Sequence, residues 1–215
     1  MYKTASDLFN RLTVEKRENI LNYALSEFGT VGYEAASVRK IAGCKASMSV
    51  GSLYQYFSNK QGMLAVVIEH IFIILNEYID EIKTSPLILE SRLETMFDMI
   101  LKLGKKHPEL IVFYNKIPSD EQMTNEWIKQ FYDNTSFFET YWDSVRELQE
   151  QQEIKSDIDP VVYTFIIDTM MLSGELLQNT QHQEIKAKVF LEDSIKSSII
   201  LKENVIEALT ILAKE

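Results

Sequence analysis

Residues 17–64 read RENILNYALSEFGTVGYEAASVRKIAGCKASMSVGSLYQYFSNKQGML, and the order of apolar positions, caps and glycines in this stretch decides the fold. Ile20, Leu21, Ala24, Leu25 and Phe28 recur at the three-and-four spacing of one helix face. Thr13 offers an N-cap ahead of them, and Gly29 and Gly32 stop the run. Ser37 then caps a short helix, from Val38 to about Cys44. A polar stretch, Lys45 to Met48, separates it from a second short helix, Ser49 to Tyr56. A longer helix followed by two short ones with a few residues between them is the pattern of a helix-turn-helix. Leu53 and Phe57, four apart, anchor one face of the second short helix in a core, while Ser49, Val50, Ser52 and Gln55 stand on the other. Small or amide side chains of this kind approach base edges without clashing. Gly51 lets the helix start come close to a sugar–phosphate chain. Tyr54 and Tyr56 offer hydroxyls to phosphate, and Lys60 adds charge at the next helix start.

Outward from this segment the pattern stays helical. Ser58, three residues before Gln61, has the spacing of a capping box, and apolar periodicity runs from Asn59 to about Lys83. Ser85 and Pro86 interrupt it. Further helices are expected over Leu89–Lys106 and Glu109–Lys116, the latter opened by Pro108. Pro118 breaks the chain again, and a box of Ser119 with Gln122 opens one long helix reaching about Gln152. Asp159 followed by Pro160 caps a helix to about Gln181. Residues 182–199 are mixed, and a last helix covers Leu201 to Lys214. No repeat and no strand pattern is found, and the fold class is all-α.

Composition agrees. The 215 residues include seven Gly and four Pro, too few for the many turns a sheet needs. Cys44 is the single cysteine, so an internal disulfide and a cysteine zinc site are excluded. The first residues lack the apolar core of a signal peptide, and the apolar runs are about five residues against the roughly 18 of a membrane span, which predicts a cytoplasmic protein. Net charge is −10, unevenly divided: residues 1–60 carry +3 and the rest −13. A mildly basic head on an acidic body suits a module that touches phosphates.

The segment resembles the DNA-binding domain of the TetR/AcrR family. The matching pieces are GTVGYEAAS, VRKIA, VGSLYQYF and SNK, about 50 residues of the chain. One departure stands out: AGCKASMSV, between Ile41 and Gly51, is one residue longer than usual, lengthening the second helix or the turn around Cys44, Lys45 and Ser47. The resemblance implies an N-terminal three-helix DNA-binding domain, residues 1–60, with helix 59–83 as connector and 84–215 as a larger helical domain for ligand binding and dimerisation. It implies that Ser37 contacts phosphate and that Ser49, Val50, Gly51 and Ser52 enter the major groove. Tyr54, Tyr56 and Lys60 then clamp the backbone, and Lys45 joins the DNA-facing set. Gln55 is the candidate base reader, because an amide pairs bidentately with adenine; no arginine on this face offers a fork to guanine. A homodimer on a pseudo-palindromic operator, a small-molecule effector and a repressor role follow from the family.

In the body, Met96, Phe97, Phe113, Trp127, Phe131, Tyr141 and Trp142 can line a pocket for an apolar or aromatic effector, or equally form a bundle core. Phe165, Thr169, Ser173, Gly174 and Leu177 follow one stripe of the helix after Pro160, suited to a dimer contact. His70, His107 and His182 have no metal-binding spacing, and no cofactor is expected. No nucleophile–base grouping or phosphate-binding glycine loop is seen, so an enzyme is not expected. The alternative is a helical ligand-binding or protein-interaction module without specific DNA binding.

Overall fold

The computed structural model describes residues 2–43, 48–133, 136–179 and 198–214; the side chains of 80, 131–133, 136–138, 171–179 and 198–201 are not described. Among the described residues every regular element is helical. In order they are α1 (Asp7–Asn10), α2 (Val14–Ala35), α3 (Val38–Gly43), α4 (Val50–Tyr56), α5 (Lys60–Thr84), α6 (Leu89–Lys106), α7 (Pro108–Lys116), a 3-10 turn (Ile117–Ser119), α8 (Glu121–Asp133), α9 (Ser136–Glu150), α10 (Pro160–Asn179) and α11 (Ser198–Lys214). The all-α class expected from the sequence is what the chain adopts.

Several boundaries follow from local chemistry. The Thr13 side chain accepts from the Lys16 N–H, and Asp159 Oδ1 accepts from Val161 and Val162 N–H, so both caps stand where the sequence puts them. Two others move by one residue. Asn59 rather than Ser58 accepts from Gly62 N–H at 2.8 Å, and Asp120 rather than Ser119 accepts from Met123 N–H at 3.1 Å. The single helix expected from Ser119 to Gln152 is described as two, α8 ending at Asp133 and α9 beginning at Ser136. Helix α1, capped by Ser6, is an addition the sequence reading lacks.

The chain forms two compact units, residues 1–75 with 107–135 and residues 76–106 with 136–215. In the first, Phe9, Leu21, Phe28, Leu53, Phe57, Phe72 and Phe113 are fully or almost fully buried. Helix α2 meets α7 at Gly29, where a Cβ would lie 2.8 Å from the backbone nitrogen of Phe113. Gly32 bends α2 with φ +82°, a left-handed conformation that L side chains avoid. The carboxylate of Asp120 fills the bend: Oδ2 accepts from Tyr33 N–H at 2.6 Å while Oδ1 caps α8.

In the second unit, Leu89, Leu93, Phe97, Tyr163, Ile167 and Leu209 form the core. The Tyr163 hydroxyl donates to the Leu209 carbonyl at 2.7 Å, and burial pushes its pKa up. Arg92 is buried too. Its guanidinium donates to Ser144 Oγ at 2.9 Å and to the Pro86 carbonyl at 3.2 Å, with Glu147 at 3.5 Å. Helix α5 is apolar and long enough to cross a membrane by composition, but 72% of its most apolar window is buried in the protein.

Candidate nucleic-acid interface

Helix α4 shows how a seven-residue helix is divided between core and surface. Ser49 opens it, its Oγ accepting from Ser52 N–H at 3.0 Å and lying 2.9 Å from Ser52 Oγ. Leu53 and Tyr56 turn inward, and Phe57 follows them into the core. Ser49, Gly51, Tyr54 and Gln55 are exposed, Tyr54 at 46%; Val50 and Ser52 are half-buried. One face of α4 therefore presents a hydroxyl, a bare backbone, a phenol and an amide, with no charge of its own.

Two residues of the expected clamp are engaged within the protein. Tyr56 is only 9% exposed, its ring 5.8 Å from that of Phe9 and in edge contact with Phe57. Lys60 Nζ donates to the Glu34 carbonyl at 3.0 Å and stands 4.8 Å from the centre of the Tyr33 ring. It thus closes the end of α2. The α2–α3 corner is set by Ser37, whose N–H donates to Glu27 Oε1 at 3.0 Å while its Oγ accepts from Lys40 N–H. Lys45 lies outside the described residues.

Sequence reasoning passes over Arg39 and Lys40, both exposed in the first turn of α3, Lys40 3.5 Å from Glu27. Their place directly after the Ser37 cap was the available signal. It also passes over Asp120, whose partner at Tyr33 is 87 residues away.

The seven residues expected to line an effector pocket are divided between the units. Phe113 is fully buried and Trp127 half-buried in the first, where Trp127 packs against Phe72 at 5.2 Å and Tyr114 at 5.8 Å. Met96 and Phe97 are buried and Tyr141 and Trp142 half-buried in the second. The side chain of Phe131 lies outside the description. None of the seven lines the open cleft of 580 Å³ between α6 and α11, which is bordered by Glu90, Glu94, Asp98, Lys202, Glu203 and Glu207. Among the described residues no three His, Cys, Asp or Glu side chains are grouped to hold a metal.

On α10, Phe165 is 69% exposed, Thr169 is exposed with its hydroxyl donating to the Phe165 carbonyl, and Val161 and Val162 are exposed beside them. The side chains of Ser173, Gly174 and Leu177 lie outside the description. Ile211 and Leu212 of α11 are also half uncovered. The exposed Val161, Val162 and Phe165, at helical spacing on α10, leave apolar surface on that helix uncovered.

Residues 20–67 match the family model of the bacterial regulatory proteins of the tetR family. Solved structures share the fold over nearly the whole chain. A TetR-family transcription regulator of Marinobacter aquaeolei has a TM-score of 0.66 and 16% identity, covering 92% of this chain and 95% of its own. The transcriptional regulator FadR of Bacillus subtilis, solved with stearoyl-CoA, has 0.65 and 16%, covering 90% and 97%. The fatty acid degradation regulator FadR of Bacillus halodurans has 0.62 and 18%, covering 90% and 97%. No curated protein sequence matches the chain.

Proposed function

We propose that the chain, whose residues 20–67 match the tetR family model on a fold shared with that family's regulators, is a homodimeric, ligand-responsive repressor working in the cytoplasm. The observation that supports it best is α4: a surface face of Ser49, Gly51, Tyr54 and Gln55 on a helix fastened from behind by Leu53 and Tyr56. Gln55 reads an adenine, Tyr54 and the helix start hold phosphates, and Arg39 and Lys40 add the charge that α4 lacks. Tyr56 serves packing. One such helix reads few base pairs, so two half-sites about 34–36 Å apart, or a multiple of that, are needed. The uncovered Val161, Val162 and Phe165 are the surface for the second copy, and residues 1–60 and 84–215 divide the labour of DNA reading and sensing.

For the effector, the FadR of Bacillus subtilis with its stearoyl-CoA makes a long-chain acyl thioester the first compound to try. Met96, Phe97, Tyr141 and Trp142 supply apolar surface of the kind an acyl chain takes. Effector binding shifts the population away from the DNA-competent form.

The test is selection of duplexes from a random pool, followed by binding at several salt concentrations. A palindromic site bound by a dimer, and released by an acyl thioester, is expected. Gln55→Ala should relax preference at one base step by about 1–3 kcal/mol, and Tyr54→Phe should weaken all sequences alike. A folded dimer that enriches no sequence would refute the reading and leave the helical ligand-binding module as the better one.

A further inference from the structure

We propose that residues 2–12 form a strap that positions the recognition helix, and that Glu69 on α5 is the positioning residue that fastens it. The proposal rests on α4 being the DNA-reading helix. The strap itself lies before the family match at 20–67.

One side of the strap is tied to α4. Ser6 N–H donates to the carbonyl of Tyr56, the last residue of α4, at 3.1 Å. Phe9 has no exposed surface, and its ring packs at a tilt 4.9 Å from that of Phe57 and 5.8 Å from that of Tyr56. The other side is tied to α5. Glu69 Oε1 accepts from Lys3 N–H at 2.6 Å, and Oε2 accepts from the Thr4 hydroxyl at 2.6 Å and Thr4 N–H at 3.2 Å. At the next residue of α5, His70, the Tyr2 hydroxyl lies 2.8 Å from Nδ1, and the Tyr2 ring meets Phe9 edge-on at 5.6 Å. The strap also holds its own shape: Tyr2 and Asn10 exchange two hydrogen bonds of 2.9 Å, and Arg17 donates to the carbonyls of Asn10 and Leu12.

These ties close a ring that runs from α4 through the strap to α5 and back through residues 57–59. A helix of seven residues has little stability of its own, and its orientation is set by what packs behind it. Glu69 is 7% exposed, so loss of Lys3 N–H would leave Oε1, and loss of both Thr4 donors would leave Oε2, a buried oxygen without these partners. The ring is therefore stiff where the chain alone would be loose. Base reading demands placement within about 0.5 Å. Glu69 thus serves specific binding through the strap, without touching DNA.

The experiment compares Glu69→Ala, Thr4→Val, a chain lacking residues 1–5, and that truncation combined with Glu69→Ala. The probe is a duplex that the unmodified chain selects from a random pool. Glu69→Ala and the truncation should each weaken specific binding roughly tenfold and Thr4→Val roughly twofold, and the combined variant should be no weaker than either alone. The slope of affinity against salt, and binding to a random duplex, should not change, because no phosphate contact is lost. Without DNA, amide hydrogen exchange at residues 50–57 should speed up in both variants. Additive losses, wild-type affinity in a folded truncation, unchanged exchange in α4, or a shallower salt slope that assigns Lys3 to phosphate would each overturn the strap. If Glu69→Ala does not fold, Thr4→Val and the truncation carry the same comparison. Failure of the unmodified chain to select any duplex would refute the DNA-reading helix, while the exchange measurement still decides on the strap.

Discussion

In the unit formed by residues 1–75 and 107–135, three carboxylates hold backbone across the chain, although Glu27 also lies 3.5 Å from Lys40 and Glu126 3.7 Å from Lys129. Glu69 holds the N–H groups of Lys3 and Thr4, Glu27 that of Ser37, and Asp120 those of Tyr33 and Met123. In the unit formed by residues 76–106 and 136–215, carboxylates mostly face ammonium groups. Glu81 pairs with Lys102 at 2.9 Å, Asp98 with Lys202 at 2.8 Å and Glu90 with Lys214 at 3.0 Å, while Glu153 on Leu89 N–H and Asp159 on Val161 and Val162 N–H are exceptions. A backbone N–H cannot swing away, so a carboxylate that holds it fixes where an element begins or bends. A lysine on the surface exchanges its partner for water or salt. The unit that carries the candidate DNA-reading face is thus specified in position, and the other is tolerant at its surface.

The contrast breaks first at Gly29. A Cβ there would meet the Phe113 backbone at 2.8 Å, and backbone cannot give way as a side-chain end can. Gly29→Val should cost about 3 kcal/mol or prevent folding, read by thermal unfolding. Melting like the unmodified chain would mean that α2 and α7 are not as closely docked as described. Next comes Asp120→Ala, which leaves Tyr33 N–H and the first turn of α8 without their acceptor. Its expected cost is roughly 2 kcal/mol, and Asp120→Asn should recover part of it through the remaining amide oxygen.

Acidity sharpens the same contrast. Burial, and then the nearby His107, hold the His70 pKa down at about 4 against an ordinary 6.5. The folded chain keeps this imidazole neutral while the unfolded chain protonates it. Stability is therefore lost as pH falls below 6.5, and the loss levels off near 4. Between pH 7 and pH 5 it amounts to about 2 kcal/mol from this group. His70→Gln should remove that component from the pH dependence of unfolding, measured at both pH values. An unchanged pH slope would mean that His70 is hydrated rather than enclosed.

The sequence makes the helices legible wherever their causes are local. Thr13, Ser49 and Asp159 lie within three residues of the N–H groups they cap, and Pro86 and Pro108 bracket α6 at Leu89–Lys106. What is not legible has its cause far along the chain. Tyr54 and Tyr56 carry the same chemistry two residues apart, and Phe9, some 47 residues earlier, decides which of them is buried. Helix α1 is four residues long and exists because Tyr56 and Phe57 cover Phe9. Arg92 reads as a surface charge until Ser144, 52 positions on, takes its guanidinium inside. The candidate DNA-reading face is legible because a cap, an anchor and an exposed amide fit within seven residues. The candidate effector residues are scattered over several helices of both units, and composition supplies no more than their names.

The smallest effect is expected at the surface pairs of the second unit. Lys102 is exposed and Glu81 nearly half so, and the ammonium can reach water in any rotamer. Replacing it by Gln keeps the stem that covers neighbouring apolar surface and removes only a screened charge. Lys102→Gln should leave the melting temperature unchanged at 0.15 M salt, and any difference seen at low salt should vanish as salt is raised. Lys214 differs in degree, because Glu90 and Glu153 both lie within 4.0 Å of it and a shared cation costs less side-chain order per pair. Lys214→Gln should therefore show a small, salt-sensitive loss where Lys102→Gln shows none. Equal and salt-independent losses at both would mean that these pairs act as fixed supports, and the distinction between the two units would not hold.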